Sequence, residues 1–189
     1  MTLQPLGARA TVSRVAVTED DARREPAGRL RWMAQALVLV RKLEEALLDL
    51  KGRDLVNGPV HTSVGQEAVA VGAAFALRRE DRFAGTHRAH HQYLAKAVAA
   101  VVGDGSDPLD GLGAGVDEAV RVLLAEVMGL RDGCCGGRGG SMHLYNPEAG
   151  VAGTNAIVGG GIPMSTGSAW ADLRLGRDAP EGCVEMRPG

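Results

Sequence analysis

Helical periodicity recurs along this chain in separate stretches, with short apolar or glycine-rich segments between them. That alternation is what most limits the fold. From Arg29 to Lys51, Leu30, Met33, Leu37, Val40, Leu47 and Leu50 recur at helical spacing, while Arg41, Lys42, Glu44, Glu45 and Asp49 fall elsewhere on the wheel. Gly52 is expected to close this helix. Ser63 and Gln66 have capping-box spacing, which predicts a second helix from Ser63 to Leu77 with Val64, Ala68, Val71 and Phe75 inward. Residues 81–86 read as a short buried strand, followed by a helix through Tyr93 and Val98. Asp117 to Leu130 predicts another amphipathic helix, with Val120, Leu123, Leu124 and Val127 facing in. Gly159-Gly160-Gly161-Ile162-Pro163 opens an Ala/Ser-rich helix that ends near Gly176. Helices alternating with short buried segments predict an α/β layer fold: a parallel sheet flanked by helices, with an N-terminal helical segment. Outside this pattern, residues 1–28 lack a sustained period and read as a flexible leader, and residues 103–115 read as a glycine-rich loop.

The 189 residues suffice for one domain with a core. With 3% aromatic residues and 27 glycines, that core must be built from Ala, Val and Leu, and backbone must approach backbone closely in many places. A net charge of −2 gives no sequence-independent attraction to nucleic acid or an acidic membrane surface. No apolar stretch approaches bilayer length. The first 18 residues hold Arg9 and Arg14 and no acid, a faint likeness to a transit peptide, but they lack a secretory apolar region. Adjacent Cys134 and Cys135 cannot form a disulfide without strain, so a reducing cytoplasm is the expected setting.

Three candidate signals fail when tested against their chemistry. His87 and His91 stand one helical turn apart, but a zincin pattern needs Glu after the first His, and here it is Arg88. The run Gly133-Cys134-Cys135-Gly136-Gly137-Arg138-Gly139-Gly140-Ser141 lacks the Lys of a P-loop and reads as a loop of unusual backbone angles. Gly103-Asp104-Gly105 follows an apolar run but has no Asn at a useful distance, so it is not read as a metal turn.

The order of four motifs is more informative than any one of them. They are His61-Thr62-Ser63-Val64-Gly65-Gln66-Glu67-Ala68, Thr86-His87-Arg88-Ala89-His90, Gly133 through Ser141-Met142-His143, and Asn155-Ala156-Ile157-Val158-Gly159-Gly160-Gly161-Ile162-Pro163. This succession resembles the E1 alpha subunit of thiamine-diphosphate-dependent 2-oxo acid and acetoin dehydrogenases, over residues 29–177. The resemblance implies a truncated thiamine-diphosphate-binding fold and a flavour of chemistry: decarboxylation of pyruvate-like 2-oxo acids or cleavage of acetoin, with acyl transfer to lipoamide. It implies an E1 beta subunit, a lipoyl-bearing E2 and a heterotetrameric E1 as partners. It also assigns roles. Arg88 would grip the diphosphate, with His87 beside it. The backbone of Ala156 and Val158 would meet the aminopyrimidine. His61 and His90 would line the reacting centre as catalytic groups. Ser141 and His143 would stand on a loop near the entrance.

The match breaks in two places. Residues 97–116 are longer and richer in glycine than the family pattern. After the helix ending near Gly176, the pattern calls for a strand, a Gly-Asp-Gly turn and a later Asn as Mg2+ ligands. Residues 178–189 read instead as a non-matching tail with Pro180 and Pro188, so no metal ligand is assigned. Weak cofactor binding by this chain alone is the expectation. A non-catalytic paralogue that docks on E1 partners, or a frameshifted remnant, are the alternatives to an E1 alpha activity.

Overall fold

The computed structural model describes residues 2–5, 13–102 and 113–177. Within residues 1–28, β1 (Thr2–Pro5) pairs antiparallel with β2 (Ser13–Ala16), and α1 (Glu19–Arg23) follows behind a complete capping box between Thr18 and Asp21. The segment read as a leader thus carries local regular structure. The tail at 178–189 and most of the 103–115 loop lie outside the described residues.

The long helix α2 (Ala27–Gly52) forms where the periodicity places it, rotated slightly from the expected stripe. Its buried residues are Trp32, Ala36, Val40, Leu43, Glu44 and Leu47, while Leu30 is exposed. Gly52 is the last helical residue, but Asp54 makes the left-handed turn, at φ 56°, and the Leu55 N–H closes on the Leu50 carbonyl at 3.0 Å.

The second helix, α3 (Glu67–Ala76), starts four residues later than the capping box predicts. Ser63 does not cap it, because its side chain is buried against the Glu44 carboxylate. The buried stripe is therefore Glu67, Ala70, Val71 and Ala74, and Val64 and Ala68 face solvent. An ion pair from Arg41 Nε to Glu67 Oε1, at 2.6 Å, ties α2 to the start of α3.

A three-residue strand, β3 (Phe83–Gly85), leads into α4 (His90–Val101). Every residue of α4 from His90 to Val98 is buried. It packs on α2, α3, α5 (Gly113–Val127) and β4 (Val151–Thr154), which makes it the centre of the core. Its one cation, Lys96, is buried with Nζ donating to the Arg78 carbonyl at 2.5 Å. On α5, Leu123 and Val127 are buried as expected, whereas Val120 and Leu124 are only half-buried.

β4 has no counterpart in the sequence reading. It pairs parallel with β3, which supplies the parallel element of the α/β layer, and α6 (Gly161–Arg174) packs against β3. Arg82, just before β3, is ion-paired with buried Asp172 near the end of α6. Among the described residues, no helix is long and apolar enough to cross a membrane.

Candidate functional site

Because β3 and β4 run parallel, their C-terminal ends lie side by side, and ligands of open α/β sheets bind at such ends. Gly85 pairs with Thr154, and the Asn155 N–H reaches the Gly85 carbonyl at 3.4 Å. The motif segments 86–91 and 155–160 therefore leave the sheet from one edge. Gly85 must be glycine: a Cβ there would sit 2.7 Å from Ala89 Cβ and 2.9 Å from Thr154 Cγ2.

Beyond β3, the Thr86 hydroxyl is buried and accepts the Arg88 N–H at 3.3 Å, which turns the chain. The Arg88 guanidinium donates one N–H to the Thr62 carbonyl at 2.7 Å. That contact brings the 61–66 segment to the same place. The rings of His61 and His87 meet edge to face with centroids 4.8 Å apart. Among the described residues, the Nδ1 atoms of both are buried without a hydrogen-bond partner. Burial lowers the His87 pKa, and the charges of His61 and Arg88 lower it further, which favours the neutral ring.

After β4, Asn155 Oδ1 accepts the Ile157 N–H at 2.9 Å, and Gly159 turns at φ 80°. Ala156, Ile157 and Val158 are exposed. Among the described residues, the N–H groups of Ala156 and Val158 make no hydrogen bond.

His90 is placed differently from its assigned role beside the reacting centre. It is fully buried, with Nδ1 3.2 Å from Glu44 Oε1 and Nε2 2.6 Å from Ser141 Oγ. Ser63 donates its hydroxyl to Glu44 Oε1 at 2.6 Å and its N–H to Oε2 at 3.2 Å. Burial pushes the Glu44 carboxyl up, but the hydrogen bonds from His90 and Ser63 outweigh it and hold the group below its ordinary value. His91 is also buried, and its Nδ1–H donates to the Arg88 carbonyl at 2.8 Å. His143 is exposed, and its carbonyl accepts from Cys135 Sγ.

The glycine-rich run is a cradle after all, but its occupant is a side chain of this protein. Fully buried Glu126 on α5 accepts backbone N–H groups from Cys135 and Gly137 at Oε2, at 2.6 and 3.0 Å. At Oε1 it accepts those of Gly139 and Gly140, at 2.6 and 3.2 Å. A side chain at Gly133 would strike Glu126 itself, and one at Gly139 would strike the His143 carbonyl. The wrap of this loop delivers Ser141 to His90.

Glu44 and Glu126 were not singled out from sequence, and Ser63 was read only as a helix cap. A signal was present, since Glu44 falls on the helical stripe Val40-Leu43-Leu47, and Glu126 on the stripe of Leu123 and Val127. A charged residue inside an apolar stripe marks a buried, partnered group.

The family described as Dehydrogenase E1 component matches residues 35–103. The alpha subunit of acetoin:2,6-dichlorophenolindophenol oxidoreductase of Bacillus subtilis (strain 168) is 37% identical over 138 residues, 73% of this chain and 35% of that protein. The mitochondrial pyruvate dehydrogenase E1 component subunit alpha of Kluyveromyces lactis is 36% identical over 148 residues, 78% of this chain and 30% of that protein. The corresponding subunit of Rhizobium meliloti (strain 1021) is 32% identical over 142 residues, covering 75% and 35%. With the helices and parallel strand pair described above, these matches show a likeness to dehydrogenase E1 components over part of the chain. The likeness is to alpha subunits, and the chain spans about a third of the length of the curated relatives it matches.

Proposed function

We propose that this chain supplies the alpha side of a thiamine-diphosphate site in an E1 dehydrogenase acting on pyruvate-like 2-oxo acids or acetoin. One observation carries the reading. Arg88 and the unbonded N–H groups of Ala156 and Val158 leave adjacent parallel strand ends, and His61 and His87 stand beside Arg88 with buried Nδ1 atoms that lack partners among the described residues. Most buried polar atoms in folded proteins are hydrogen-bonded, and a ligand is one explanation for those that are not.

The residues present fit the group. Arg88 has guanidinium N–H groups beyond the one given to Thr62, and a guanidinium fork suits phosphate oxygens. The Ala156 and Val158 amides suit an aminopyrimidine edge. Neutral His87 next to Arg88 adds a ring nitrogen without adding charge, and His61 offers a second. When bound, thiamine diphosphate supplies a nucleophilic carbon and a ring that takes up electrons. The oxygen ligands expected for Mg2+ lie on a turn that the described residues do not contain, so no role is assigned to the metal. An E1 beta subunit and a lipoyl-bearing E2 are the partners this reading implies, in a cytoplasmic setting.

Titration calorimetry of the full chain with a matching E1 beta subunit, thiamine diphosphate and Mg2+ tests the reading. Arg88→Gln should weaken binding about tenfold or more, the worth of a charge-assisted contact. Equal binding by the wild type and Arg88→Gln would overturn it. A second reading, a docking subunit without activity, draws on the exposed Ile162, Met164, Trp170, Leu173 and Leu175 of and just after α6. It expects co-purification with an E1 beta subunit and no decarboxylation.

A further inference from the structure

The polar core of this chain converges on one carboxylate. Glu44 of α2 touches Ser63 of the first motif and His90 of the second, and through His90 it reaches Ser141 of the third. All four side chains are buried: Glu44 and His90 at 0%, Ser63 at 1% and Ser141 at 5% exposure. Hydrogen accounting then fixes the protons. An ionised carboxylate only accepts, so both Ser63 groups and His90 Nδ1 must donate to it. In the neutral ring the proton therefore sits on Nδ1, and Nε2 is an acceptor. The Ser141 hydroxyl, 2.6 Å away, has to donate to Nε2. The same anchor acts on Arg88. Ser63 is held by two bonds to Glu44, and the carbonyl of the preceding Thr62 is the acceptor for the Arg88 guanidinium.

We propose that Glu44 is a positioning residue for this site: it fixes His90 in the Nδ1–H tautomer, aims the Ser141 hydroxyl, and sets the Thr62 carbonyl that orients Arg88. This deepens the cofactor reading above, on which its relevance to the diphosphate rests. It assigns His90 a different part from that of a group touching substrate, since both of its ring nitrogens are spent inside the protein.

The test is the tautomer itself. The full chain, with its 5 histidines labelled with 15N, is studied by two-bond 1H–15N correlation, and His90→Gln identifies the His90 signals. The expected result is protonated Nδ1 and unprotonated Nε2 in the wild type. Ser141→Ala should keep that tautomer, because Glu44 sets it; Glu44→Gln should replace the single form by a mixture or by the Nε2–H form. A wild-type Nε2–H ring would overturn the proposal, as would a tautomer that changes with Ser141→Ala. A tautomer unmoved by Glu44→Gln would do the same. If Glu44→Gln does not fold, the wild type and Ser141→Ala still decide. No sample contains thiamine diphosphate, so the outcome is separate from that of the Arg88 titration.

Discussion

Replacing Glu126 by Gln changes one atom type and should cost much of the stability of the chain. The carboxylate divides its four backbone donors evenly, Cys135 and Gly137 on one oxygen and Gly139 and Gly140 on the other. An amide has one oxygen and one NH2, so in either orientation two backbone N–H groups face another donor. Each unpaired donor costs about 1–3 kcal/mol. The loop is half-buried rather than fully enclosed, so the lower part of that range applies, and the pair should cost about 2–4 kcal/mol. Domain stabilities of about 5–15 kcal/mol make this a large share. Urea unfolding of the full chain, followed by circular dichroism, reads the loss as a lower midpoint at unchanged slope. A loss below about 1 kcal/mol at unchanged slope would refute the claim that Glu126 holds the glycine-rich loop.

Gly139→Ala should lower the melting temperature even though Ala is a modest change, because its Cβ runs into the His143 carbonyl; a melting curve superposable on wild type would contradict that geometry. Ser63→Ala should destabilise by about 1–3 kcal/mol in the same urea assay, since it leaves the buried Glu44 short of a donor. The Arg41 guanidinium holds the Glu67 carboxyl down at about 2, which ties stability to pH. A depressed acid stabilises the fold above its unfolded pKa, and that stability is lost as pH falls from about 4.5 toward 2; Glu67→Gln should flatten the pH dependence of the melting temperature in this window. His87 works in the opposite sense: its lowered pKa means that protonation favours unfolding, so stability should fall below about pH 6.5, and His87→Gln should remove part of that slope.

Helices were the legible part of this fold. α2, α4 and α6 lie close to where periodicity and the Gly-Gly-Gly-Ile-Pro start put them, because a helix writes its buried face into local spacing. β4 was not legible. Val-Ala-Gly-Thr is too short to alternate, and its identity as a strand comes from Phe83–Gly85, which lies far away in sequence. The Ser63–Gln66 capping box failed for a similar reason: the spacing was right, but a carboxylate from α2 claimed the serine. At the site, the ordered motifs picked out His61, His87, Arg88, His90, Ala156 and Val158; His87, Arg88, Ala156 and Val158 follow neighbouring strand ends, His61 reaches them from the segment before α3, and His90 is turned into the core. Glu44 and Glu126 were overlooked because a binary pattern sends every charge to solvent. Their partners are a histidine, one serine and backbone amides, none of which marks the carboxylate in a linear string.

The all-round burial of α4 bears on how the site comes into being. Gln92, Lys96 and two histidines lie among its nine buried positions, so this helix has no polar side on which it could float as an independent amphipath. It becomes favourable only when α2, α3 and α5 have closed around it, and the Arg88 turn sits at its entrance. Assembly of the site is therefore the same event as closure of the core: a half-folded chain has no half-formed site, and damage to either is felt as loss of both.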